Sequence, residues 1–488
     1  MPAPASIRIG RVRDPIHGYI TFTVPSKSKE ITEKRLIDSE WVQRLRRIFQ
    51  LQSAWVVYPC AVHTRFAHVL GAMQLAGDLA LRLYPKFKEA FPNEEIPDNP
   101  YYVEEMFRLA GLLHDVGHGP LGHRLDEAYT YPRYKKTHED ISQRIVEEYL
   151  AESISKIRCS PHGRFDQPID PKKLYRFIKL GGSFEGYALW EQVFSKIMLG
   201  IASADAMDFL LRDRYFCGTT DIGEIDLGRI LSEITVSPHA GISLYGGALP
   251  ALRGLLQTRY SLFRNIYYHP KKIAYDMVLG ELLAEALEIL RVGDIVKNLD
   301  RFLSITDFQI LSVVDEWKTA REKRKRRIGN LWHKIVYARE NPYHLLKEDE
   351  RLYHTLREAE EMVPSHILEK EIAKPFPASA GAKGSIMRVD LRNQHLFRCY
   401  PDLGTMRKRD DVKSMGLIDG DDRDVSEWGN HSLGDIPLKY EAARVYGIGE
   451  AVVPLVERDA FAPAPQLGFG FETGYAAEAA RRTEITST

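Results

Sequence analysis

The chain has 488 residues, of which 44% are apolar and 27% charged, and its 67 basic residues balance 67 acidic ones. That length holds about three average domains, or one large core with appendages. The composition is that of a water-soluble globular chain, and the cancelled charge gives no sign of nucleic acid or an anionic membrane as an overall partner. No apolar run reaches about 18 residues, so no membrane span is expected. Met1-Pro2-Ala3-Pro4-Ala5-Ser6 lacks a basic and an apolar region, so no signal peptide is expected. Cys60, Cys159, Cys217 and Cys399 stand far apart and form no CxxC. This points away from a disulfide framework or thiolate zinc site and towards a reducing, cytoplasmic compartment.

Residues Ile7 to Val24 read as short extended segments broken at Asp14-Pro15 and His17-Gly18. From Asp38-Ser39, a capping pair, the spacing of Trp41, Leu45 and Ile48 predicts a helix with Arg44, Arg46 and Arg47 between the apolar positions. Further helices are predicted over Phe66–Leu83, Tyr102–Leu113, His138–Leu150, Trp190–Leu211, Gly247–Tyr267 and Ala274–Leu290. Ile234 to Tyr245 reads as a small hairpin. Asp300 to Glu371 reads as more helix and includes the basic run Arg321–Arg327, either a solvated helix face or a site for effector phosphates or a nucleic-acid backbone. After Ala373 the prolines and glycines suggest an irregular α+β lobe, and from Ala462 a loose tail.

The densest concentration of chemistry is His114-Asp115-Val116-Gly117-His118-Gly119-Pro120-Leu121-Gly122-His123. Histidine and aspartate are the usual protein ligands of hydrolytic metals. His63 and His68 open one predicted helix, and His114-Asp115 closes another. Asp205 and Asp208 lie three apart inside an apolar helix and so share a face. Buried carboxylates are costly unless paired or bound to metal. One of the two is expected to bind metal and the other to fix an Arg or His neighbour, with Arg212 at i,i+4 the plain salt-bridge partner for Asp208.

The order His68, His114-Asp115, Asp205 resembles the signature of the HD-domain phosphohydrolases. Asp14-Pro15-Ile16-His17-Gly18, Gln43–Ile48, His63–His68, His114–Pro120 and Met207–Asp213 are similar, in order and spacing, to the deoxynucleoside triphosphate triphosphohydrolase branch. The resemblance covers about residues 7–295. It implies a mostly α fold, an HD-domain helical core with small β-hairpins over residues 1–300; beyond it the residue pattern alone sets a helical extension over 301–372 and a C-terminal α+β lobe with a loose tail over 373–488.

By that resemblance His68, His114, Asp115 and Asp205 hold one divalent metal, Mn, Fe, Zn, Ni or Mg, with Mg also accompanying the triphosphate. The implied reaction converts a deoxynucleoside triphosphate to deoxynucleoside and inorganic triphosphate. His118 and His123 match histidines that touch the phosphates and protonate the leaving oxygen. Asp126 is expected to orient His123, and His138 matches another phosphate-facing histidine. Arg65 and Arg259 match phosphate-binding arginines, apt because guanidinium binds phosphate bidentately. Tyr267 matches the tyrosine packed on the sugar, and Gln50, followed by Leu51, pairs with Asp213 at the 3′-hydroxyl. Asp38, Gln43 and Arg46 coincide with residues that recognise a guanine nucleotide activator at an oligomer interface, which implies a homo-oligomer, dimer or tetramer. Three places depart from the pattern. Ala206 and Phe209 stand where a basic residue and a tyrosine usually meet phosphates, and Trp55 follows Gln52-Ser53-Ala54 where the family is glycine-rich. The alternatives are an HD-type phosphodiesterase or nucleotidase, or a nucleotide-sensing binding protein.

Overall fold

The first hairpin places its own turn in the molecular interior. The computed structural model describes residues 7–179, 184–341 and 343–353, with the segments 387–395, 398–399, 414–418, residue 423 and 439–448. Strands β1 (Arg8–Asp14) and β2 (Gly18–Val24) pair antiparallel, Asp14 opposite Gly18. Asp14 Oδ1 accepts from Ile16 N and His17 N at 2.9 Å, and Gly18 adopts φ +72, so the Asp-Pro-Ile-His-Gly text codes for a turn.

Short helices α1 (Glu33–Ile37) and α2 (Glu40–Arg44) follow, the second capped by Ser39, whose side chain accepts from Val42 N. The predicted helix ends early: a single 3₁₀ turn covers Leu45–Arg47, and Ile48 is extended. The core is the pair α3 (Arg65–Ala90) and α4 (Pro100–Leu113). Their contact is close because small residues meet: a Cβ on Gly111 would lie 2.7 Å from the Ala72 backbone. His68 projects from the first turn of α3, and His114 caps the C-terminus of α4.

The helix predicted over Trp190–Leu211 is two helices, Leu189–Leu199 and Ala204–Phe216. Gly200 ends the first in extended backbone, and Ser203 caps the second by accepting from Ala206 N at 3.0 Å. The break aims the second helix, with Asp205 and Asp208, at α3. Strands β3 (Ile234–Ser237) and β4 (Gly241–Tyr245) form the expected hairpin. The helices Leu249–Leu262 and Pro270–Ile289 are joined by a π-helical turn over Phe263–Tyr267.

Helices Asp307–Glu316 and Lys323–Val336 occupy the predicted extension, but β5 (Tyr343–Tyr353) is a strand where more helix was expected. The helix ends at Val336, Arg339 turns the chain at φ +59, and the segment pairs antiparallel with β9 (Lys439–Ile448), which also pairs with β6 (Met387–His395). The small strands β7 (Arg398–Cys399) and β8 (Ser414–Ile418) extend the β3–β4 hairpin, β8 running parallel to β4. The protein is mostly helical, with small hairpins and strands in its C-terminal lobe. Residues 354–372 and the tail beyond Ala462 lie outside the described residues. The basic helix is a salt-bridged face: Arg324 meets Glu288 at 3.1 Å and Arg327 meets Glu285 at 2.8 Å. Among the described residues no helix is long and apolar enough to cross a membrane.

Candidate metal centre and active site

Four side chains from α3, the end of α4 and the helix Ala204–Phe216 converge. His68 Nε2 lies 3.2 Å from His114 Nε2 and 3.1 Å from Asp205 Oδ1. His114 Nε2 lies 3.5 Å from both Asp205 Oδ1 and Asp115 Oδ1. The other ring nitrogens are committed. His68 Nδ1 donates to Asp208 Oδ2 at 2.7 Å, and His114 Nδ1 donates to the Gly111 carbonyl at 2.9 Å. The two Nε2 atoms therefore both present lone pairs to one small volume bordered by two carboxylates. Such a donor set fits a divalent cation bound by imidazole and carboxylate. The pull on positive charge is also visible in titration. Burial disfavours the charged form of His68, yet its bonds to Asp205 and Asp208 hold it up at about 10, while Asp205 lies at about 2 despite burial, through His114 and His68.

Asp208 is the hub behind this centre. It is fully buried and accepts from His17 Nε2 at 2.6 Å, from His68, and from Arg212 Nη2 at 2.8 Å and Nε at 2.9 Å. Arg212 Nη1 reaches Asp14 Oδ2 at 2.8 Å. Gly71, one turn after His68, leaves the room that the Asp208 carboxylate occupies. The expected i,i+4 salt bridge between Asp208 and Arg212 is present, at 2.8 Å. The roles of Asp14 and His17 were not assigned from sequence, although their motif was noted.

A second cluster joins the first through Asp115. His118 Nε2 is 3.4 Å from Asp115 Oδ1, and His118 stacks on His138 with centroids 3.7 Å apart. His123 stands edge-on to both, at 4.9 and 5.0 Å. Asp126 was expected to orient His123. Instead its Oδ2 accepts from His138 Nδ1 at 2.5 Å and from His138 N at 3.2 Å. The chain carrying His138 folds back so that Thr137 caps a new helix beside Asp126. Charge separates the three rings. Burial, then Arg65 and His138, hold His118 well below the usual histidine range, and burial with its neighbours does the same to His123. Burial acts on His138 too, but Asp126 raises it. Positive charge is thus steered towards His138 and away from His118 and His123.

Arg65, buried, pairs with Asp115 through Nη1, while its Nε and Nη2 have no hydrogen-bond partner. Buried donors of this kind await a polar ligand. Arg44 Nη1 donates to the His118 carbonyl at 2.5 Å and Nη2 to the Ile305 carbonyl at 2.9 Å, and its guanidinium lies 4.2 Å over Phe302. Asp307 accepts from Leu121 N at 2.8 Å and Phe49 N at 2.9 Å, tying the histidine loop to the segment before α3. Neither Arg44 nor Asp307 was singled out from sequence.

Asp213 and Tyr267 meet: Tyr267 Oη donates to Asp213 Oδ2 at 2.7 Å. The other oxygen accepts from His63 Nε2 at 2.7 Å, and His63 stacks on Phe216 at 4.7 Å. Gln50 N donates to the His63 carbonyl at 3.0 Å, which places Gln50 beside this group, its buried Oε1 without a partner, while Leu51 packs in the core. The buried guanidinium of Arg259 lies 5.3 Å over Phe263 and acts electrostatically on Tyr267. His63 is the unassigned member. Asp38, Gln43 and Arg46 lie elsewhere: Asp38 at the end of α1, Gln43 on α2 and Arg46 in the 3₁₀ turn after it. Asp38 pairs with Lys34, Gln43 Nε2 donates to the Ile37 carbonyl at 2.8 Å, and Arg46 Nε donates to Gln43 Oε1 at 2.8 Å.

Residues 65–208 match the model of the HD domain family. The chain is 31% identical over 314 residues to an uncharacterized protein of Methanocaldococcus jannaschii, covering 62% of this chain and 57% of that one. It is 25% identical over 339 residues to the deoxynucleoside triphosphate triphosphohydrolase SAMHD1 homolog of Dictyostelium discoideum, covering 67% and 59%. The chain thus spans under two thirds of the length of these relatives. A crystal structure of a hypothetical protein from Aquifex aeolicus shares the fold, with a TM-score of 0.64 at 22% identity over 92% of this chain and 98% of that one. The HD-domain resemblance read from the motifs is borne out over residues 65–208, the stretch that carries His68, His114, Asp115 and Asp205.

Proposed function

We propose that the protein hydrolyses deoxynucleoside triphosphates to deoxynucleoside and inorganic triphosphate. The observation that carries this reading is the adjacency of three things: a cation-competent His/Asp centre, a wall of buried cationic and imidazole groups, and the Asp213–Tyr267 pair. His68, His114, Asp115 and Asp205 would hold the metal. When bound, a divalent cation supplies Lewis-acid activation of water and neutralises phosphoryl charge. Arg65 presents its unpartnered Nε and Nη2 to a phosphate. His118 and His123, neutral, offer hydrogen bonds to phosphoryl oxygens without adding charge. His138 keeps a proton through Asp126, and it is the group suited to supply the leaving 5′-oxygen. Asp213 and Gln50 take the 3′-hydroxyl, and Tyr267 lies against the sugar face where a 2′-hydroxyl would crowd it. This reading revises the assignment of Asp126 from His123 to His138.

The deciding experiment incubates the protein, with Mn or Mg, with each dNTP, NTP and cyclic dinucleotide and identifies the products. Release of inorganic triphosphate supports the proposal. A nucleoside monophosphate product supports the phosphodiesterase or nucleotidase reading, which the departures at Ala206 and Phe209 favour. No reaction, with or without added guanine nucleotide, makes the protein a nucleotide sensor. In the same reading Asp38, Gln43 and Arg46 bind an activating guanine nucleotide between subunits of a homo-oligomer. The expected outcome is faster hydrolysis and a larger assembly on adding GTP, both lost in R46A; unchanged rate and mass in the wild type sink that part.

A further inference from the structure

The residue after Asp205 is Ala206, so that position brings no cation to the HD centre. The fold supplies one from elsewhere. Gly122, at φ +52 in the histidine loop, is flanked by two polar side chains: a Cβ there would stand 3.1 Å from Arg65 Nη2 and 3.6 Å from Gln52 Nε2. Gln52 is buried and held at φ +57, a left-handed conformation that a glutamine adopts only at some cost. Its Oε1 accepts from Lys272 Nζ at 2.6 Å. Lys272, only 5% exposed, comes from the first turn of the helix Pro270–Ile289 and also meets Asp276 Oδ2 at 2.7 Å. Asp276 in turn accepts from Ser53 Oγ at 2.5 Å and faces Arg124 Nε at 3.5 Å. A buried polar row therefore leads from Asp115 through Arg65 and Gln52 to Lys272.

Each cation along this row has a carboxylate: Arg65 meets Asp115, Lys272 meets Asp276 at 2.7 Å, and Arg124 pairs with Glu127 while facing Asp276 at 3.5 Å. Arg65 nonetheless keeps two buried N–H donor groups without partners beside Gly122. Ammonium is a compact charge suited to a terminal phosphate, and a braced, buried one loses little freedom on binding.

We propose that Gln52 and Lys272 form a subsite for the distal phosphate of a polyphosphate chain whose proximal end lies at Arg65 and the HD centre. This rests on the reading of the substrate as a nucleoside triphosphate. Lys272 thereby takes the place of the cation that Ala206 lacks, from a helix far away in sequence.

The test is calorimetric titration of the metal-loaded protein with inorganic tripolyphosphate and, separately, with inorganic phosphate. The wild type is expected to bind tripolyphosphate. K272M is expected to bind it at least about tenfold more weakly, the loss of one charged hydrogen bond, with inorganic phosphate unaffected and K272R near wild type. K272M leaves Asp276 short of a partner, so Q52G provides a second probe that suits the φ at that position and leaves Lys272 paired with Asp276. It is expected to weaken tripolyphosphate binding about threefold or more. Wild-type affinity in a folded K272M, or in Q52G should K272M fail to fold, overturns the subsite, as does a wild type that does not bind tripolyphosphate. Tripolyphosphate binding that depends on Lys272 in a protein that hydrolyses no dNTP overturns the substrate reading and leaves the subsite standing.

Discussion

His68 Nδ1 donates to Asp208 Oδ2 at 2.7 Å, and this one bond decides which nitrogen of His68 faces the metal centre. Asp208 is itself held by His17 and Arg212, so the imidazole is oriented by a fully buried ionic network. Outer hydrogen-bond partners of this kind are worth about 10–100-fold in metal affinity. D208N is expected to weaken Mn binding by that factor, measured by competition with a chelator. An unchanged affinity would show that the His68 orientation is set by packing alone.

Asp115 touches both clusters, His114 at 3.5 Å and His118 at 3.4 Å. D115A is expected to lose bound metal and to lower phosphohydrolase activity by about 10²–10³-fold or more, with the helical circular-dichroism signal retained. Metal content by elemental analysis and turnover by triphosphate release check the two halves. Full metal content in a folded D115A refutes the assignment.

The proton on His138 depends on Asp126, which raises it against burial. If that proton reaches the leaving group, activity falls as pH rises through the His138 pKa. In D126N the raising charge is gone, so the alkaline fall moves to lower pH. A pH–rate profile for D126N that overlays the wild type, apart from scale, rules out His138 as the proton donor.

Asp213 is satisfied by His63 on one oxygen and Tyr267 on the other. H63A removes one donor to a buried carboxylate that does not itself meet the phosphates. KM for a dNTP is expected to rise about tenfold with a smaller fall in kcat. Y267A is expected to reduce discrimination against the matching NTP by a similar factor of about ten. Should both variants lower kcat with KM unchanged, the pocket acts on chemistry rather than on the sugar.

Glu105 lies in α4 with 0% exposure and neither carboxyl oxygen hydrogen-bonded. Burial first, then Glu33, push it well above its ordinary 4.5, despite Arg108. The sign follows from linkage. The folded state binds this proton more tightly than the unfolded chain, so Glu105 costs stability progressively as pH rises above 4.5. E105Q removes the titration and is expected to raise Tm over wild type by a margin that widens between pH 5 and 8. A constant margin across that range counts against the buried neutral carboxyl.

Local pattern was enough to place the ligand-bearing ends. The apolar run before His114 and the Thr64-Arg65 boundary are short-range signals, and residue spacing on one helix sets which face Asp205 and Asp208 share. Motif order then pointed to the HD family and to His68, His114, Asp115 and Asp205 as one group, which the fold brings together. Tertiary structure decided what depended on distant chain segments meeting. Asp126 turns to His138 because the chain folds back at Thr137, a choice that i,i+3 proximity to His123 did not foretell. Asp14 and His17 matter because their turn is carried inward to Arg212 and Asp208. The helix break at Gly200 and the strand at Tyr343–Tyr353 follow from capping and from pairing with a strand almost 90 residues on. Lys272 beside Gln52, across 220 positions of sequence, belongs to the same class: a buried charge has to find its partners in space, and sequence spacing carries no record of them.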